Sequence, residues 1–157
     1  MSLSVILGSG VVAGLVAGLV TLRTSERKIA MEHITKQREI WRDKIRTKSL
    51  DVTTAIESKS LSRLCELYTE LSHLLNPTDD MDIAILGLLK EFKGNSLDSE
   101  KHIEFIERIS LLLKHDWQRA KQEAKPWFFF SKEPERISHE TFLSDHKAAN
   151  KAIKSDS

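Results

Sequence analysis

The sequence predicts an all-α fold: one N-terminal transmembrane helix followed by a cytoplasmic antiparallel helical bundle. Three observations carry that expectation. Residues 3–22 contain no charged side chain. The 157-residue chain is rich in Leu, Ile, Lys and Glu and has only three prolines and six glycines, a composition that favours helices. Beyond residue 25, apolar residues recur at intervals of three and four, the spacing of one helix face. Four segments follow: a transmembrane anchor at 1–23, a basic juxtamembrane helix or stalk at 24–57, a bundle core at 58–125, and an aromatic segment with a weakly ordered tail at 126–157.

At 1.5 Å per residue, about 20 residues span the roughly 30 Å hydrocarbon core of a bilayer. Glycine is a poor helix former in water but is tolerated in lipid, where every backbone group must be satisfied internally. A cleavable signal peptide needs a basic start and a small-x-small cleavage site, and neither is present. Instead Arg23, Arg27 and Lys28 follow the span. The positive-inside rule then places the N-terminus outside and the rest in the cytoplasm. Gly10, Ala13, Gly14, Ala17, Gly18 and Thr21 share one helical face. Such a small-residue face allows close backbone approach, so it predicts association with a second copy or another membrane helix. Arg23, Arg27 and Lys28 are expected at anionic headgroups.

Residues 25–56 lack Gly and Pro. Ile29 or Ala30, Ile34, Trp41, Ile45, Val52 and Ala55 or Ile56 follow a helical period, interrupted by Lys48. So thin a stripe reads as a stalk or as one arm of a bundle. Leu61, Leu64, Tyr68, Leu71 and Leu75 make a coiled-coil-like seam, widened by Leu67 and Leu74. Asn76 and Pro77 end that helix; a bend at 58–60 is left open. The acidic run Asp79, Asp80, Asp82 reads as a capped first turn rather than a metal site. Ile83, Leu86, Leu89 and Phe92 form the next buried face, ended at Gly94. Asp98 or Ser99 caps a helix whose seam is Ile103, Ile106, Ile109 or Ser110, Leu113, Trp117, Ala120 and Ala124. Pro126 stops it. Trp127, Phe128, Phe129 and Phe130 then need a core, a membrane surface or a partner. The tail beyond Ile137 patterns weakly through Phe142, His146, Ala149 and Ile153.

Few residues point to chemistry. His139, Glu140, Asp145 and His146 lack the one-turn histidine spacing of a zinc helix and read as a solvated tail. His115 and Asp116 have no evident nucleophile to serve. Cys65, the only cysteine, reads as a buried small apolar residue; with no internal disulfide possible, it suits a reducing compartment. No phosphate loop, hydrolase elbow or dinucleotide fingerprint occurs, so neither an enzyme nor a cofactor is expected. The formal net charge of +1 gives no global field for nucleic acid.

Three stretches together carry a resemblance: Arg38, Trp41, Ile45 and Arg46; Leu74, Leu75, Asn76 and Pro77 before an acidic run; and Leu112, Leu113, Lys114, Asp116 and Trp117. With one preceding span, the chain resembles uncharacterised single-span membrane proteins of bacteria and their prophages. That resemblance implies the inner membrane of a bacterium. Trp41 and Trp117 are expected to meet in one core, so that Trp117→Ala would cost roughly 3–5 kcal/mol. Arg38 or Arg46 is expected to pair with Asp116. The expected role is a membrane-anchored, non-enzymatic scaffold or regulatory module with lipid and its own copies or another membrane protein as partners. The alternative is an oligomeric membrane-perturbing effector in phage exclusion or antiphage defence.

Overall fold

The computed structural model describes residues 3–94, 98–123 and 132–155, without the side chains at 3–10, 27, 30, 93, 94 and 149–155. Among the described residues the fold is all-α, with five helices and no strand: α1 (Leu3–Glu57), α2 (Leu61–Ser72), α3 (Asp80–Gly94), α4 (Ser99–Glu123) and α5 (His139–Ser155). No helix among them is long and apolar enough to cross a membrane. The first eight residues of the expected span, 3–10, are among those whose side chains are not described.

The chain divides into two compact units, Met1–Ile40 and Trp41–Ser157. The first is helical, and every described side chain from Val11 to Gln37 is exposed. Within it Thr21 donates back to the Ala17 carbonyl at 2.8 Å, and Thr24 donates to Val20. Threonine hydroxyls satisfied in this way add no stray polar group to an apolar helix.

The second unit is a helical bundle around one core. Ile45, Val52, Ala55 and Ile56 come from α1, and Leu64, Leu67 and Leu71 from α2. Leu75 follows α2; Ile85, Leu88 and Leu89 come from α3, and Phe105, Ile109 and Leu112 from α4. Each fully buried Ile, Leu or Phe contributes about 1.5–3 kcal/mol of apolar transfer. The last third of α1 is therefore an arm of the bundle. Phe92 of α3 meets Phe105 edge-on, with centroids 6.1 Å apart, the arrangement aromatic quadrupoles prefer.

Local chemistry explains where the helices stop. Between α1 and α2, Lys59 has φ 53°, Ser60 N–H donates to the Ala55 carbonyl at 2.9 Å and Lys59 N–H to the Ile56 carbonyl at 3.0 Å. This is a Schellman cap, with lysine in the left-handed position glycine usually takes. It resolves the 58–60 bend: two helices meet there. The second helix ends at Ser72, ahead of the Asn76 and Pro77 stop, and Leu75 packs from the link. Asp79 Oδ1 accepts from the Met81 and Asp82 amides at 2.9 and 3.2 Å, the N-cap expected at α3. Asp98 does the same for α4, accepting from Glu100 N–H at 3.0 Å.

Several expected core positions face outward. Leu61, Ile83, Ile103, Ile106 and Trp117 are exposed, Trp117 by 53%, and Cys65 is exposed rather than buried. On α4 the buried seam runs through Phe105, Ile109 and Leu112. The chain carries two apolar rows on that helix at the same period, and tertiary packing selects the one bearing Phe105. Trp41 is half-buried against the core, its indole Nε1–H donating to the Leu74 carbonyl at 2.8 Å. The two tryptophans therefore do not share a core.

Phe105→Ala should lower stability by about 3–5 kcal/mol, whereas Trp117→Ala should cost about 1 kcal/mol or less, read from denaturant melts of the full chain in detergent. Lys59→Gly should raise stability by roughly 1 kcal/mol, because a side chain no longer sits in the left-handed region. A lowered midpoint would contradict the capping geometry.

Candidate functional site

The first unit presents two features together. Val11, Val12, Leu15, Val16, Leu19, Val20 and Leu22 are each 56–66% exposed. Beside them lie the exposed Ala13 and Ala17, and a Cβ added at Gly14 or Gly18 would meet nothing within 4 Å. Nothing in the described chain fills the space over those glycines. Gly10 lies in α1, among the residues whose surroundings are not described. Arg23 and Lys28 are exposed, and the Arg27 side chain is outside the described set. Lys28 is 4.0 Å from Glu32, one turn on. Trp127, Phe128, Phe129 and Phe130 lie outside the described residues.

In the second unit, charged groups bind the helices around the core. Lys48, which interrupts the apolar stripe of α1, lies 2.9 Å from Glu70 of α2 and 3.5 Å from Asp51. Arg63 joins Asp51 at 2.9 Å and Glu66 at 2.9 Å. The hydrogen bond to Glu70 holds the Lys48 ammonium above its ordinary pKa, against the opposing pull of burial. Lys48 is thus the polar edge of the α1–α2 contact. Arg42 pairs with Asp116 at 3.2 Å, with 13% and 14% of the side chains exposed. Arg46 pairs with Asp43 at 2.9 Å. The Trp117 ring has Arg42 at 5.8 Å and Lys121 at 5.2 Å from its centroid. Its face meets cations instead of the core.

The region expected to be a solvated tail is anchored at its start. Arg136 reaches Asp79 at 2.9 Å and Asp82 at 2.7 Å, with only 10% of the Arg136 side chain exposed. Asp82 also accepts from the Asn76 amide at 2.8 Å. The acidic run is thus a helix cap closed by the Arg136 guanidinium. Among the described residues, no group of three His, Cys, Asp or Glu side chains could hold a metal. His139 is buried, its Nε2 2.7 Å from Glu107 and its Nδ1 3.9 Å from Glu104. Arg108 bonds Glu104 at 2.7 Å and approaches Glu140 at 3.4 Å. The Glu140 carboxyl is held below its usual range, first by its own backbone amide, then by Ser138, with Arg108 adding to both.

Sequence reasoning missed this arrangement. Its one local signal is Glu104, Glu107 and Arg108 at three-and-four spacing on α4, a polar row beside an apolar one. The partners Arg136 and His139 come from beyond the proline break, so no periodicity links them. The crevice enclosed by Met81, Arg108, Leu111, Arg136, Ile137 and His139 holds about 10 Å³, no more than a single water. The cluster therefore fastens a segment. No known family, no curated protein and no solved structure matches this chain.

One group faces the fastened segment without a bond of its own at the buried ring nitrogen: Nδ1 of His115 has no hydrogen-bond partner. Desolvation, then Arg119 and Arg136, lower its pKa below the ordinary 6.5. Below that pH the unfolded chain takes up a proton that the folded one refuses. Stability from this group is therefore present above pH 6.5 and lost as the pH falls toward the lowered value. His115→Gln should flatten the dependence of the urea midpoint on pH between 7.5 and 5.5, and an unchanged slope would remove His115 as its source.

Proposed function

We propose that this protein is a membrane-anchored, non-enzymatic helical scaffold or regulatory interaction module, self-associating through α1. The observation that carries the reading is the run from Val11 to Leu22, seven large apolar side chains each more than half exposed among the described residues. An exposed apolar surface of that kind belongs against lipid or another protein. Together with the charge-free residues 3–10, it gives about the length a bilayer requires. The open faces of Gly14 and Gly18 support close helix–helix approach in that setting. Arg23, Arg27 and Lys28 on one flank favour an N-out orientation, with lipid headgroups at the junction and an antiparallel bundle in the cytoplasm. The resemblance to single-span bacterial and prophage proteins is in keeping with an inner-membrane location.

A C-terminal fluorescent reporter should light in the cytoplasm, and protease added to intact cells should spare the bundle. Cleavage from outside, or recovery of the chain in the soluble fraction, would overturn the anchor. In the membrane, Gly14→Leu should reduce a two-hybrid self-association signal several-fold while leaving insertion intact. An unchanged signal would sink the glycine interface. Expression should leave the membrane potential unchanged, since depolarisation is the mark of a pore-forming effector.

A further inference from the structure

Residues 132–155 are attached to the bundle by charge. From 132 to 148 only His139 is buried, and none of the described side chains of the segment belongs to the core or packs against it. Its ties are polar: Arg136 to Asp79 and Asp82 at 2.9 and 2.7 Å, His139 to Glu107 at 2.7 Å, Glu140 to Arg108 at 3.4 Å and Glu133 to Arg119 at 3.2 Å. Beneath them lies an apolar patch that the core does not use. Leu111 is buried yet stands outside the core cluster, and it shares the narrow crevice with Met81 and Ile137.

We propose that residues 132–155 form a charge-latched strap, which opens as a unit while the bundle stays folded and so uncovers Met81 and Leu111. Two physical arguments support it. Opening removes almost no large apolar side chain from the core, so the bundle keeps its main source of stability. Opening also returns every latch ion to water, which offsets the lost pairing, because burial of an ion pair carries a desolvation cost comparable to the attraction. Such a segment belongs at the low end of the range of local opening free energies. The latch is decided at Arg136. With its guanidinium gone, Asp82 keeps only the Asn76 amide as a bond, and hydration on opening becomes the favourable state.

The test is hydrogen exchange by mass spectrometry on the full chain in detergent. Arg136→Gln should speed exchange across the described start of α5 at least about a hundredfold, as expected for breaking a buried pair from one side. Protection at Leu67, Leu71, Ile85 and Leu89 should stay as in the wild type. Arg136→Lys, a point charge without the two-pronged geometry, should fall between. If Arg136→Gln does not fold, Glu133→Gln with Glu140→Gln removes two exposed partners and should speed α5 exchange several-fold alone. Unchanged α5 exchange in the foldable variants, or equal acceleration in strap and core, would overturn the proposal.

Discussion

The second unit depends on one constraint: α1 must turn an apolar stripe inward over its last third. Ile45 and Val52 are fully buried, and Ala55 and Ile56 nearly so. Without them α2 and α3 would have Leu67, Leu71, Ile85 and Leu89 facing water, since helices of 12 and 15 residues are marginal alone and owe their stability to packing. The polar groups of α1 are then arranged around that stripe. Trp41 ties it to the α2–α3 link through Leu74, Arg42 ties it to Asp116, and Lys48 ties it to Glu70. Thr53 adds a hydrogen bond to His102 of α4 at 3.1 Å.

How much of this the sequence discloses follows from the range of each interaction. Caps are written locally, and Asp79 and Asp98 act as the sequence indicates. The helical class and most core residues of α1 and α2 follow from periodicity; on α3 the expected face of Ile83, Leu86, Leu89 and Phe92 contains Leu89 but not the buried Ile85 and Leu88. Periodicity alone cannot choose between two apolar rows on the same helix. On α4 it favours Ile103, Ile106, Ile109 or Ser110, Leu113 and Trp117; packing buries Phe105, Ile109 and Leu112, holds Leu113 against the core and leaves Ile103, Ile106 and Trp117 exposed. The aromatic bulk of Phe105, able to meet Phe92, is the feature that decides.

The long-range polar pairs are the least legible. Arg42 meets Asp116 across 74 positions and Arg136 meets Asp79 across 57. Opposite charges are abundant in a chain with 24 basic and 23 acidic residues, so composition cannot say which of them pair. Arg42 and Arg46 lie one helical turn apart and are equivalent on paper, yet Arg42 meets Asp116 of α4 while Arg46 meets Asp43 of its own helix. The acidic run shows the same limit. Its capping role is local and readable, while its second role, receiving Arg136, joins residues 57 positions apart, which no local pattern records.

These two kinds of interaction divide the molecule by what each can tolerate. Apolar burial is non-directional and must be kept for the bundle to exist. Charge pairing is directional, and water can replace it on either partner. The bundle is built on the first and the strap on the second, so the two respond differently to the same change in surroundings. Loss of charge at Arg136 acts on the strap, because Phe105, Leu67 and Ile85 have no ion within the core to lose. The apolar residues of α1 from Val11 to Leu22 belong to neither kind: they are apolar without being buried. Scattered exposed residues such as Leu50 and Leu61 need no cover, but seven within twelve positions form a continuous surface. Such a surface is costly in water and favourable against lipid or another protein.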